Sequence, residues 1–467
     1  MTAFLETDLD TIAGLDALVV RLDGDLVRPG DPEWDVARQA WHLSVDQRPA
    51  AVVRAASVQD VIETVDAARH LGLRVAPQGT GHNAAPLGPL DGTILLKTSA
   101  MRGVTVDPVR TIARVEAGAL WMDVVPVAAE HGLTALAGSA PDVGVVGYTL
   151  GGGLSWHGRS LGLASNHVTA IEVVTADGLH HRVDAHHEPQ LFWALRGGGS
   201  SFAIVTALEF ELFEFTTVHA GVLFFPLARA GEVLHAWREW VQTVPDEVTS
   251  VGRMLRFPPV PDLPEFLRGQ AFVVVEATMR LSEEDAGELL APLRALGPAM
   301  DTFATIPTSE LGHLHMDPPG PVPGMGDGML LSELPYEAVE ATLAASGPAV
   351  DSPLLSVEFR HLGGALLPIT STGGGAVSGF DAAFAMFAVG FTPTPEAGIA
   401  VRTAVDAVQT RLAPWSTGSV YLNFAERHKA GTALFGADTY HRLQHVKAGY
   451  DPTDLIRSNH PVKPAQN

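Results

Sequence analysis

The sequence predicts a two-domain α+β protein, and three observations carry that prediction. The chain has 467 residues, more than one ordinary hydrophobic core accommodates. Its first two hundred residues alternate short apolar runs with amphipathic helical stretches. After about residue 216 the pattern changes to longer strand-like runs, each followed by a helix, which suits a mostly antiparallel sheet with helices on one face.

The elements follow in order. "AAVVRAA" (50–56) reads as a strand and "SVQDVIETVDAARHLG" (57–72) as a helix. Ser57 is placed to cap that helix, with Asp60 three residues on, Val61, Ile62, Val65 and Ala68 on the buried stripe, and Gly72 as the stop. Strands are expected at "LRVAPQ" (73–78), "GTILLKT" (92–98) and "IARVEAGA" (112–119), then a helix, "LWMDVVPVAAEHG", ending at Gly132. "HVTAIEVVTADG" (167–178) turns at Asp177-Gly178 into "LHHRVDA", a hairpin signal. Residues 138–166 between them are glycine-rich and patternless, so they read as a long functional loop. Farther on, "AFVVVEATMRL" (271–281) precedes a capped helix (282–297), "LLSVEFRHLGGAL" (354–366) reads as a strand, and "FAMFAVGFTP" (384–393) precedes a helix (394–412). Segment 315–328, rich in proline and glycine, reads as a loop, and "SVYLNFAE" (419–426) as a strand before an irregular tail.

Composition narrows the function. Hydrophobic residues are 46% and charged residues 18% of the chain, which argues for packed interiors rather than disorder. No apolar run is long enough to span a bilayer, and the acidic N-terminus lacks a basic n-region, so a cytoplasmic location is expected. With 53 acidic against 30 basic residues, the formal charge of −23 repels nucleic acid and anionic membranes and favours a small-molecule partner. Cysteine is absent, which excludes disulfides, thiolate metal sites and cysteine nucleophiles.

Among candidate motifs, three glycine-rich loops (79–81, 151–153, 197–199) could let backbone amides approach a phosphate-bearing cofactor. A clean GxGxxG after a strand, a Walker A motif, HExxH and GxSxG are all missing. Paired histidines at 180–181 and 186–187, and "HLH" at 313–315, are read as solvated loop residues rather than metal ligands, since neighbours on a strand face opposite ways. His82, in "VAPQGTGHNAAPLG", has no structural reason to be an imidazole in a turn.

Taken in order, "RPAAVVRAASVQDVIETVDAARHLGLRVAPQGTGHN", "LAGSAPDVGVVGYTLGGGLSWHGRSLGLASNHV", "QLFWALRGGGSSFAIVT", "VEFRHLGGAL", "YLNF" and "YDPTDLIRSNHPV" resemble the berberine-bridge-enzyme-like group of flavin-linked oxidases, whose FAD domain is of the p-cresol methylhydroxylase type. That resemblance implies an FAD-binding domain over 1–216, a substrate-binding domain over 217–414 with an antiparallel sheet covered by helices, and a segment over 415–467 returning to the first. It implies FAD joined covalently through His82, a step that needs a neutral imidazole nitrogen as nucleophile. Ala140 stands where many plant relatives carry a second flavin-linked cysteine, so a single link is expected. Turn residues Pro77, Gln78, Gly79, Thr80, Gly81 and Asn83 are expected around the pyrophosphate, with Leu87 beside them. Ser139, Asp142, Val143, Gly144, Gly147, Tyr148, Gly151, Gly152, Gly153, Ser155, Val205 and Asn423 complete the expected cofactor site. Valine at 143 goes with oxidase behaviour in relatives, which makes dioxygen the expected acceptor.

The resemblance also implies that Tyr421 acts as base toward an alcohol or amine substrate. Its ordinary pKa of about 10 would then have to be lowered. Tyr421 and Asn423 are expected on one face of a strand. Glu358 is the second candidate base, with a structural ion pair to Arg360 as the alternative. A dehydrogenase with another acceptor, or a redox-neutral flavoprotein, remains open at this point.

Overall fold

The computed structural model describes residues 9–261, 264–369 and 374–466. Residues 1–8, on which part of the N-terminal reading falls, lie outside the described residues.

Three sheets organise the chain. The first contains β1 (Asp25–Val27), β2 (Ala51–Arg54), β3 (Arg74–Gln78) and β4 (Thr93–Lys97) in the order β1-β2-β4-β3. β2, β4 and β3 run parallel, and β1 pairs antiparallel with β2. The second contains β5 (Val104–Asp107), β6 (Ile112–Glu116), β7 (Val168–Val174), β8 (His180–Val183) and β9 (Ile204–Glu211) in the order β5-β6-β9-β7-β8. Its pairings are antiparallel, and β7–β8 form the expected hairpin.

The third sheet is built from β10 (Thr217–Pro226), β11 (Val248–Arg256), β12 (Ala271–Met279), β13 (Met300–Asp301), β14 (Ala304–Pro307), β15 (Gly324–Leu331), β16 (Leu354–His361) and β17 (Phe384–Phe391). Its order is β13-β10-β12-β11-β16-β17-β15, with β14 also on β10, and all its pairings are antiparallel. Helices Ala230–Trp240, Glu283–Arg294, Tyr336–Ser346 and Pro395–Leu412 bury their apolar stripes with it in one cluster around Trp237, Met254, Phe359 and Val405. The chain is therefore α+β, with an antiparallel sheet whose core is shared with helices.

Local chemistry explains the helix that joins β2 to β3. Ser57 caps Val58–Leu71 by accepting the Asp60 N–H at 3.2 Å, and Gly72 ends it at φ 65°. The Asp60 carboxylate accepts the N–H groups of Asp23 (2.7 Å), Gly24 (3.0 Å) and Ala56 (2.7 Å), so it ties the helix start to the turn before β1.

Several expectations are corrected. Residues 138–166 are not structureless: they hold short helices at Val145–Leu150 and Gly158–Leu161 and a 3₁₀ turn at Ala164–His167, too short for an apolar period to show. Segment 315–328 ends in β15 rather than in a loop, because a glycine-rich strand carries few of the branched residues that mark strands. "SVYLNFAE" is not a strand: Leu422–Phe424 form a 3₁₀ turn capped by Tyr421. The last fifty residues contain the helix Ala437–Tyr450, whose Leu443 and Val446, with Leu422, Leu434 and Val462, pack into the cluster formed by residues 113–212. Among the described residues no helix is long and apolar enough to cross a membrane.

Candidate active site

The turn after β3 and the turn at 421–424 meet, although more than 330 residues separate them. Asn83 Nδ2 donates to the Leu422 carbonyl at 3.2 Å, and Asn459 Nδ2 donates to the Asn83 carbonyl at 3.2 Å. Gly81 permits the first turn: its φ is +84°, and a Cβ there would stand 2.8 Å from that of Ala40. Between these turns, the 138–151 segment and the third sheet lies a cavity of about 440 Å³.

His82 sits in the wall of this cavity, held on three sides. Its ring stacks on Trp41 with centroids 4.0 Å apart and planes 19° from parallel. Its Nδ1 is 2.7 Å from the Thr80 hydroxyl, and its Nε2 is 3.5 Å from Asp142 Oδ1. Asp142 in turn accepts the Trp41 indole N–H at 2.6 Å. Burial would raise the Asp142 pKa, but His82 and the Trp41 N–H outweigh it and hold the carboxyl below its usual range. A carboxylate beside Nε2 favours the tautomer protonated there, which leaves Nδ1 as the lone-pair nitrogen.

Tyr421 is 3% exposed, and its oxygen is surrounded by donors. Leu154 N–H donates to it at 3.0 Å and Asn423 Nδ2 at 2.8 Å, while Asn423 Nδ2 also reaches the Tyr148 carbonyl at 2.9 Å. Asn423 approaches so closely that a Cβ on Gly151 would lie 1.8 Å from its Oδ1, so any larger residue there would have to push the Asn423 amide off its hydrogen bonds to Tyr148 and Tyr421. Burial pushes the Tyr421 pKa up to about 12 against the pull of these donors and Arg360. The direction is opposite to the lowering a tyrosine base would need.

The third sheet contributes a buried ionic cluster. Glu358 Oε1 pairs with Arg360 Nε at 2.7 Å and its Oε2 with His315 Nε2 at 3.0 Å; His315 Nδ1 reaches Glu276 at 2.6 Å, and Arg253 reaches Glu276 at 2.7 Å. Burial would raise the Glu358 pKa, yet Arg360, His315 and Arg253 hold it far below the carboxylate range. Burial and Arg253 would lower the His315 pKa, but Glu276, Asp317 and Glu358 raise it to about 9. The solvated-loop reading of "HLH" therefore fails at His315, which is 3% exposed and charge-paired.

Of the residues singled out from sequence, Pro77, Gln78, Gly79, Thr80, Gly81, His82, Asn83, Leu87, Ser139, Val143, Gly144, Gly147, Tyr148, Gly151, Val205, Glu358, Tyr421 and Asn423 all line the cavity. Four expected cofactor contacts do not. Asp142 stands behind His82, and Gly152 and Gly153 pack against Leu163, Tyr148 and Ala164. Ser155 faces a small neighbouring void, and its Oγ accepts the His157 N–H at 3.2 Å. Missed from sequence were Trp41, His42, Arg253, His315, Phe387, Phe424 and Glu426, which also line the cavity. Glu426 stands three residues beyond Asn423 and was within reach of the same motif; Trp41 and His42 carry no sequence signal.

The residues present fit FAD. The buried Gln78 Oε1 and Asn83 Oδ1, both in the lining, lack hydrogen-bond partners among the described residues, and a Cβ at Gly147 would project into open cavity. Residues 49–184 match the FAD binding domain, and residues 420–463 match the family described as "Berberine and berberine like". The chain is 33% identical over 198 residues to (R)-6-hydroxynicotine oxidase of Paenarthrobacter nicotinovorans, an alignment spanning 42% of this chain and 43% of that protein's own length. It is 25% identical over 454 residues to an FAD-linked oxidoreductase of Dictyostelium discoideum, with 96% of each chain covered. The fold matches that of Physcomitrella patens BBE-like 1 with a TM-score of 0.84 at 18% identity, covering 97% of this chain and all of the other. The chain thus carries an FAD binding domain over 49–184 and a berberine-like segment over 420–463, and the relatives it matches are FAD-linked oxidoreductases and oxidases.

Proposed function

We propose that the chain is an FAD-dependent oxidase, with the flavin joined once and covalently through His82, acting on a small organic alcohol or amine and passing its electrons to dioxygen to give hydrogen peroxide. The observation that carries this reading is the His82 imidazole, fixed in the cavity wall by Trp41, Thr80 and Asp142. FAD, when bound, supplies the two-electron acceptor for the substrate's hydride and returns those electrons to oxygen. Pro77 to Asn83, with Gly144, Gly147 and Gly151, would hold it, because these residues present backbone and small side chains to the cavity.

The chain's own residues then divide the remaining work. Trp41 and Asp142 orient His82, so that the nucleophilic nitrogen needs no reorganisation at the moment of attachment. Tyr421, protonated at neutral pH and already accepting two N–H bonds, has its own O–H proton left to donate to a substrate oxygen or nitrogen. Arg360 lies over the Phe424 ring at 5.0 Å and carries positive charge to the cavity edge. Val143 adds a small apolar side chain to the cavity lining, where dioxygen would have to approach the flavin.

The test is a panel of alcohols, sugars and cyclic amines mixed anaerobically with the yellow protein. Bleaching by at least one compound, followed by rapid recolouring in air with one peroxide per turnover, is expected. Bleaching without fast reoxidation by air would instead make the protein a dehydrogenase.

A further inference from the structure

The cavity wall presents several groups able to take a proton, and most are already committed. Both oxygens of Glu358 are held by Arg360 and His315, His315 bridges two glutamates, and Tyr421 is surrounded by donors. Glu426 differs from these. The Gly326 N–H donates to its Oε2, and no described residue hydrogen-bonds its Oε1. Beside it stands His42, 5% exposed, with Nε2 3.7 Å from Glu426 Oε2 and both ring nitrogens buried without a partner. Both side chains line the cavity, on the wall that runs from Tyr421 through Phe424 to Trp41 and His82.

We propose that Glu426 is the acceptor of the substrate's O–H or N–H proton, with the His42 imidazole beside it completing the subsite that receives that group. This rests on the oxidase reading above. In the step, the O–H or N–H bond breaks and its proton passes to Glu426 Oε1. The neighbouring C–H bond gives its hydrogen and electron pair to FAD, the oxidant already named, and a C=O or C=N bond forms in the product. The proton leaves Glu426 for solvent before the next turnover.

The surroundings suit this role. Burial raises the Glu426 pKa, the Gly326 N–H lowers it, and the Asp327 charge raises it again, to about 7. Asp327 is itself neutralised by Arg427 at 2.9 Å, Lys429 at 2.6 Å and a Gln409 hydrogen bond at 3.1 Å. Burial above all lowers the His42 pKa to about 4, so it faces Glu426 as a neutral ring. Arg360, paired with Glu358, is the remaining charge near Phe424 on the same wall. An acceptor that titrates close to neutrality is matched to general-base work in a way that the other groups are not.

The experiment measures the rate of anaerobic flavin bleaching between pH 5.5 and 9, using the compound that bleaches the wild type in the panel. The wild-type rate is expected to rise through about pH 7 and level off. Glu426→Gln should lose 10²–10⁴-fold together with that rise, Glu426→Asp should restore a displaced rise, and Tyr421→Phe should be slower but keep it. A Glu426→Gln enzyme that retains the wild-type rate and pH dependence overturns the proposal. So does a Tyr421→Phe enzyme that alone loses the rise. Infrared pH-difference spectra of the resting protein give an arm that needs no substrate: a carboxyl band titrating near pH 7 in the wild type and missing in Glu426→Gln is expected, and its absence from the wild type overturns the proposal. Failure of the whole substrate panel defeats the oxidase reading, while the infrared arm still decides the protonation of Glu426.

Discussion

Asp142, behind the cavity wall, and Glu426, in it, show how two carboxyl groups take opposite charge states. Asp142 lies against a ring nitrogen and an indole N–H and stays ionised; Glu426 is buried with one backbone donor and stays protonated until about neutral pH. Asp142→Asn is expected to keep FAD binding but slow its attachment 10-fold or more, because the amide no longer selects the Nε2–H tautomer of His82. The check is the fraction of flavin that stays with acid-precipitated protein over time after FAD is added to flavin-free enzyme. Glu426 also has a stability signature. Its folded pKa of about 7 lies above the unfolded value near 4.5, so between those pH values the native state binds the extra proton and stability falls as pH rises. Glu426→Gln should remove that penalty, on the order of 3 kcal/mol. Urea midpoints should therefore rise for the variant relative to wild type at pH 8 and differ little at pH 4.

Among the elements, the helix Val58–Leu71 was legible because its cap, stripe and stop are all local signals. What its sequence could not show is the reach of Asp60 to three N–H groups, two of them on the turn before β1. Asp60→Ala leaves those donors unpaired beside a 0% exposed position and should cost about 3 kcal/mol, against about 1 kcal/mol for Ser57→Ala, measured by denaturant unfolding. The 421–424 turn illustrates the opposite case. "YLNF" looks like a strand by its apolar and aromatic content, yet tertiary contacts with Gly151, Leu154 and Asn83 fold it into a 3₁₀ turn. Tyr421 and Asn423 meet there through a side-chain hydrogen bond rather than through strand alternation. Likewise β15 escaped notice because Gly324, Gly326 and Gly328 dilute its pattern, although Gly326 supplies the N–H that anchors Glu426.

Across the whole molecule, the glycine-rich loops that line the cavity were legible because glycine turns and their order are local, whereas the ionic cluster and the His42–Glu426 pair depend on chain crossings between remote segments. Residue 42 meets β15 territory through a parallel bridge to Val322, a contact no periodicity encodes. The same crossings bury imidazoles in their neutral form. Burial, aided by Arg280 and Arg159, lowers His157 and His361 to about 3, and burial carries His42 and His460 to about 4. These folded values lie below the unfolded one, so the stability is present above about pH 6.5 and is lost as pH falls toward 4. Each fully buried ring should contribute about 2 kcal/mol of loss by pH 5, and replacing His157 with Phe should reduce the acid sensitivity measured by urea midpoints at pH 7 and 5.

The covalent anchor is the central claim, and the mass of the intact, acid-denatured protein tests it most directly. The account predicts a wild-type chain heavier than its sequence by one FAD, with the extra mass on the peptide containing His82 and absent from His82→Ala. A wild-type chain at its bare sequence mass after purification with bound yellow flavin, or a flavin on any other residue, would contradict it.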